Sequence, residues 1–200
     1  VQDRFGSRER AESFYTNQVL DHLNERMRAF VERQEMMFVA TADRYGDCDC
    51  TLRAGTPGFA FAVDPGTVVY PEYRGNGVYA SLANITENAN VGLLFVDFCD
   101  EGIGLHVNGS AEIVEHPALL ADMGADQRVG RAMAGVGSRT PERWVRVRVR
   151  EAYVHCSKHI PLFAKASQGA AGARRSRPGG DVFGVRAARE REQRAGPALH

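Results

Sequence analysis

The sequence predicts a mainly β fold, an antiparallel barrel of six or more strands with peripheral helices and a helix at the N-terminus. Three observations predict it. Short apolar or alternating runs recur along the chain, each bounded by Gly, Pro or Asp turn residues. Helical periodicity is confined to the start and to brief insertions between strands. Strands do not alternate regularly with helices, and no Gly-x-Gly-x-x-Gly follows the first strand, which argues against a parallel doubly wound sheet.

The bulk properties bound the function. Two hundred residues suffice for one domain with a sizeable core, with tails. Lys and Arg together number 25, as do Asp and Glu, so no global field draws the chain to nucleic acid or to a membrane surface. No apolar run approaches the ~18 residues of a spanning helix. Val1 to Arg10 is polar and charged, unlike a secretion signal, so a cytoplasmic protein is expected. Cys48, Cys50, Cys99 and Cys156 lack Cys-x-x-Cys spacing and read as free thiols, so no metal site is expected.

The elements follow in order. Ser7 to Gln34 reads as one amphipathic helix, with Ser7 as N-cap, Glu9 in the first turn, and Tyr15, Val19, Leu23, Met27 and Phe30 at helical spacing. Met36–Ala42 and Cys48–Ala54 form a hairpin across the turn at Tyr45-Gly46-Asp47. Alternation places Cys50, Leu52 and Ala54 on one face, and Asp49, Thr51 and Arg53 on the other. Phe59–Val63 and Thr67–Tyr70 are strands around Asp64-Pro65-Gly66, and Pro71, lacking a donor, ends the pairing. Val78–Asn88 is a short helix with a Val78, Leu82, Ile85 stripe. Val91–Phe98 is apolar throughout and reads as a strand buried on both faces. Leu105–Val114 alternates. Pro117 opens a helix reaching Gly124, and Ala125 to Thr140 is irregular or marginally helical. Arg143–Cys156 alternates most strictly, with Val145, Val147 and Val149 opposite Trp144, Arg146, Arg148 and Arg150. From Ala166 onward Gly, Ala and Arg dominate; this is a weakly ordered tail whose apolar island is Asp181–Val185. Residues 1–34 therefore pack as a helical segment on a barrel of residues 35–164, and 165–200 form the tail.

The chemistry concentrates in Val68 to Phe98. There a strand leads through Arg74-Gly75-Asn76-Gly77 into a helix. The free N–H groups and positive dipole end of a helix N-terminus favour an anion, and two glycines permit close approach. Arg74 can fork onto a phosphate and Asn76 can add a donor. Thr51 and Arg53, a hydroxyl and a guanidinium on one strand face, form a second anion-binding edge. His106, His155, Lys158 and His159 are candidates to contact a substrate or donate a proton.

Together, Phe38–Ala42, Cys50–Gly55, Pro71–Gly77, Ser81-Leu82, Asn84-Ile85, Glu87-Asn88, Gly92–Phe95 and His106–Gly109 resemble the pyridoxamine 5′-phosphate oxidase-like, FMN-binding split-barrel proteins. The resemblance covers about Glu35 to Phe163. It implies a split barrel, a homodimer with FMN at the subunit interface, and a small-molecule substrate. Thr51, Arg53, Arg74 and Asn76 match the family's phosphate-holding positions, alongside Gly75 and Gly77. The isoalloxazine ring would lie along the strand backbone near Leu52 and Tyr70. The vitamin-B6 oxidases carry Ser-Arg-Lys where this chain has Arg-Gly-Asn-Gly, and a flavin-contacting Gln where it has Gly104. Their C-terminal substrate-gripping Arg and His have no counterpart, so the resemblance carries the cofactor and not that substrate.

The leading function is thus a flavin-dependent oxidoreductase. A deazaflavin-dependent reductase on the same fold is the alternative if the Arg146–Arg150 ladder lines the cofactor groove. A non-catalytic flavin or haem carrier or sensor is a third reading, with His155 beside Cys156 as possible haem ligands.

Overall fold

A computed structural model describes residues 1–75, 77–124, 126–134 and 141–165, with Val185 and Arg189 beyond them. The chain divides into two units, Val1–Phe163 and Ala164–His200. Asn76 and most of the tail, including the island Asp181–Val185 apart from Val185, lie outside the described residues.

The described residues of the first unit form eight strands, all paired antiparallel. They are β1 (Val19–Leu20), β2 (Met36–Ala42), β3 (Cys48–Ala54), β4 (Phe61–Asp64), β5 (Thr67–Glu72), β6 (Asn90–Val96), β7 (Gly104–Val114) and β8 (Arg143–His155). The sheet order is β3-β2-β6-β7-β8-β5-β4, with β1 paired to β8. One core takes Met37 and Val39 from β2, Leu93 and Phe95 from β6, Val107 from β7, Val147 from β8, and Val68 and Tyr70 from β5. Strands far apart along the hydrogen-bonded path thus share one interior, so the sheet curls into the expected split barrel. Helices α2 (Glu25–Arg33) and α3 (Ala80–Glu87) add Phe30, Val31, Leu82 and Ile85 to that core.

A second cluster lies outside the sheet. Trp144, Phe61, Val69 and Val114 meet Leu119 of α4 (His116–Met123) and Val129 and Ala132 of α5 (Gln127–Ala134). As expected, Pro117 opens α4 and Gly124 closes it. The Trp144 indole donates to His116 Nδ1 at 2.9 Å, which satisfies the one polar atom of this wholly buried side chain.

The structure corrects several expectations. The stretch Ser7–Gln34 is not one helix. α1 (Arg8–Gln18) buries no residue, so no packing selects its continuation. Val19 and Leu20 instead pair with Tyr153 and Ala152 of β8. Asn24 then starts α2 afresh, its side chain accepting from the Met27 N–H at 3.0 Å. Leu23 and Phe30 of the stripe reach the core, while Tyr15 stays exposed.

Pro71 does not end β5. It pairs opposite Trp144, and Glu72 opposite Arg143. The β4 ladder stops at Val69, so Pro71 lies where β5 has become an edge and its missing donor is harmless. Val78 is exposed, because α3 begins only at Ala80. β6 buries Val91, Leu93 and Phe95 on one face, and on the other only Val96, with Gly92 and Leu94 half-buried.

In β8 the register with β7 shifts between Gly109–Val149 and Asn108–Glu151, leaving Arg150 as an extra residue. The bulge reverses the inward parity, from Val145, Val147 and Val149 to Ala152. Glycine is required beside it, because a Cβ on Gly109 would lie 2.1 Å from the Arg148 carbonyl oxygen. Among the described residues no helix is long and apolar enough to cross a membrane.

Candidate functional site

Strand alternation sets one wall of the site. On β3, Asp49, Thr51 and Arg53 are half-buried, and Cys50 and Leu52 are exposed. Thr51 and Arg53 therefore face inward rather than into solvent. They line a groove of about 590 Å³, closed on its other sides by Glu72, Tyr73, the Gly75 and Gly77 loop, Tyr79 and the first turn of α3.

Arg53 organises this wall. Its Nε donates to Glu72 Oε1 at 2.7 Å, and one terminal nitrogen donates to Thr51 Oγ1 at 2.9 Å and to the Leu52 carbonyl at 3.2 Å. Glu72 is only 4% exposed. Burial pushes its carboxyl above the ordinary range, and Arg53 pulls against that shift without cancelling it. Tyr70, two residues back on the same strand face, is wholly buried, and its hydroxyl has no hydrogen-bond partner among the described residues. Burial raises this phenol far above its usual range, so it stays protonated.

The opposite wall is the loop into α3. The Tyr73 hydroxyl donates to the Ala132 carbonyl at 2.9 Å and ties the loop entrance to α5. Gly77 takes φ +81°, where glycine is favoured, and space around a Cβ on Gly75 or Gly77 is open. Tyr79 also sits in the left-handed region, at φ 52°, and its hydroxyl donates to the Glu142 carboxylate. Arg74 is 77% exposed at its side chain and lies 3.7 Å from the same carboxylate. Asn84 donates to Thr41 Oγ1 at 3.0 Å, which fixes α3 to β2. Of the expected residues, Thr51, Arg53, Gly75 and Gly77 line the groove, Arg74 is not among its lining residues, and Asn76 lies outside the described residues.

Leu52 borders the groove, whereas Tyr70 is not among the residues that line it. Leu52 is 52% exposed on the outer sheet face, and Tyr70 offers no side-chain surface to a ligand. The candidate proton donors do not line the groove. His106 Nε2 and His155 Nδ1 are hydrogen-bonded at 2.8 Å, with His106 stacked on Tyr153 at 4.6 Å between centroids. Burial, helped by His155, lowers the His106 pKa. Register places His106 in one cross-strand row with Leu94, Phe38 and Leu52 on the outer face. Lys158 and His159 occupy an exposed 3-10 turn, Ser157–His159.

The arginine ladder does not face this groove either. Arg146 bridges Glu112 at 3.2 Å and Asp122 at 2.5 Å, and with Arg148 it lines a separate cleft. Arg150 donates to the Gly109 carbonyl at 2.9 Å. The ladder therefore supplies no basic channel beside Thr51 and Arg53. All four cysteines are free, and among the described residues no group of three or more His, Cys, Asp or Glu is placed to hold a metal.

Sequence reasoning missed Glu72, Tyr79 and Ser81. Glu72 had a signal: it shares parity with Val68 and Tyr70, which puts a carboxylate on the inward face of an apolar strand.

An antiparallel split barrel with a donor-lined groove between a strand and a helix N-terminus defines the class. Residues 23–156 match the family model for pyridoxamine 5′-phosphate oxidase, and the chain belongs to that family. Among solved structures, HupZ of Group A Streptococcus is similar at 20% identity and a TM-score of 0.52, over 72% of this chain and 99% of that one. An FMN-binding protein from Syntrophomonas wolfei subsp. wolfei is similar at 11% identity and a TM-score of 0.52, over 78% of this chain and 98% of that one. These likenesses show the fold. No curated protein matches the chain.

Proposed function

We propose that the protein is an FMN-dependent oxidoreductase, with the flavin phosphate in the groove between β3 and the start of α3. The observation that carries this reading is the convergence of Thr51 and Arg53 with the Gly75–Gly77 loop and the free N–H groups of α3. The donor set fits a phosphate. It offers one guanidinium at the wall, a second at the rim, the Thr51 and Ser81 hydroxyls, and backbone donors that glycines leave uncovered.

In this reading Arg53 and Thr51 grip the phosphate, Arg74 adds charge from solvent, and the loop excludes bulk around it. FMN supplies hydride and electron transfer at its ring. The chain's own part is to bind and orient that group beside a small-molecule substrate. Membership of the family and the FMN-binding neighbour support the cofactor.

The same reading makes the protein a homodimer. The outer face of β5 and β8 is covered by α4 and α5, but that of β2 and β3 leaves Met36 37% and Leu52 52% exposed. A second copy on this face would bury them and would bring the His106–His155 pair near the shared site.

The direct experiment is purification without added cofactor, followed by an absorbance spectrum and mass of any bound small molecule. FMN supports the proposal. A haem Soret band or a deazaflavin mass replaces it with the corresponding alternative.

A further inference from the structure

A carboxylate buried against the guanidinium that would hold a phosphate is out of place in a simple anion site. We propose that the groove is a proton-coupled anion site, in which Glu72 occupies Arg53 until a phosphate takes that guanidinium and Glu72 accepts a proton from solvent. The inference rests on the flavin-phosphate reading and deepens it.

Geometry carries the proposal. Arg53 already gives its Nε–H to Glu72 at 2.7 Å and a terminal N–H to Thr51 at 2.9 Å, so an arriving anion must share this guanidinium with Glu72. Glu72 is buried, so water cannot take over its charge, and a carboxylate beside a bound phosphate repels it in a medium of reduced dielectric. Protonation removes the repulsion. The Tyr70 hydroxyl, buried and unpartnered among the described residues, lies on the same face of β5 and can share a hydrogen bond with the neutral carboxyl.

Among the described residues no other group competes for this role. From β3, Arg53 and Thr51 face Glu72, and from its own strand Tyr70 does. From β8, its register neighbour Arg143 is held by Glu115 at 2.7 Å. Glu142, just before β8, gives its backbone N–H to the Glu72 carbonyl at 2.9 Å, while its carboxylate accepts from Tyr79. From α3, Ser81 lines the groove, and the first turn carries no acidic residue. Burial already holds the Glu72 carboxyl above its usual range, the same direction in which a bound anion would push it.

Calorimetric titration of FMN into the full-length protein, in two buffers of different ionisation enthalpy, tests this. At about pH 7 a phosphate monoester with a second pKa of about 6 is mostly dianionic, and a guanidinium partner favours that form, so net uptake that Glu72→Gln abolishes is assigned to the protein. Wild type is expected to take up protons and to bind more weakly as pH rises. Glu72→Gln is expected to bind FMN more tightly than wild type without uptake, by about tenfold for each unit that bound phosphate raises the Glu72 pKa. Binding without proton uptake, or weaker binding by Glu72→Gln, overturns the coupling and leaves Glu72 as a residue that merely positions Arg53. Should Glu72→Gln fail to fold, the wild-type proton count decides alone. Absence of FMN binding by wild type overturns the flavin reading and the coupling with it.

Discussion

Arg53 and Glu72, 2.7 Å apart, join β3 at one end of the sheet path to β5 near the other. The side chains are 20% and 6% exposed, so this ion pair links the two sides of the split at the floor of the groove. Removing one member of a buried pair leaves the other charge uncompensated. Arg53→Met should therefore cost about 3 kcal/mol at neutral pH, read by denaturant unfolding. In that variant Glu72 holds its proton more tightly folded than unfolded, so stability should fall as pH rises through the carboxylate range and above. Arg53→Met with Glu72→Gln should recover much of the loss.

Asp97 organises the turn after β6. Its carboxylate accepts from the N–H groups of Cys99 and Asp100, both at 2.9 Å, and Glu101 at 3.3 Å. Burial pushes its pKa up, but these three donors outweigh it and hold the carboxyl below the usual range. The stability it contributes is present above the unfolded pKa of about 4 and lost as pH falls through the lower folded value. Asp97→Ala should cost about 1–3 kcal/mol at neutral pH and flatten the acid limb of the stability profile.

Much of this fold was legible in the sequence because it rests on period-two burial. The hairpin Met36–Ala42 with Cys48–Ala54 was readable to the residue, since alternation and a Gly-Asp turn fix both ends. The long N-terminal helix was not, because helical spacing cannot report that Val19 and Leu20 find a pairing edge on β8. The Thr51–Arg53 edge was visible as a face. Its partner Glu72 was hidden by Pro71, which suggested a strand end where the edge position tolerates proline. The bulge at Arg150 lay beyond any period-based reading, since only the two registers of β7 on β8 reveal it.

Two glycines separate packing from binding. Gly109→Ala would drive a Cβ to 2.1 Å from the backbone oxygen of Arg148, which cannot yield without breaking the β7–β8 ladder. It should destabilise by at least about 2 kcal/mol or abolish folding. Gly75→Ala meets nothing within 4 Å, so thermal unfolding should be unchanged within about 0.5 kcal/mol. Thermal melts of the two variants make the comparison.

His106 and His155 share one hydrogen bond, so protonating both costs repulsion. An NMR titration should find His106 below the ordinary histidine value, with His155→Ala raising it by removing the neighbouring charge. Because the folded value is depressed, this group's stability contribution is full above the unfolded pKa of about 6.5 and lost as pH falls through the folded value.

The most direct test of the central claim compares FMN with riboflavin, which differ only by the phosphate, using quenching of flavin fluorescence. With Thr51, Arg53 and the loop as a phosphate site, FMN should bind at least about tenfold more tightly, since one charge-assisted hydrogen bond is worth about 1.5–3 kcal/mol. Arg53→Met should narrow that gap. Equal affinities for the two flavins, or a gap unchanged by Arg53→Met, would contradict the account.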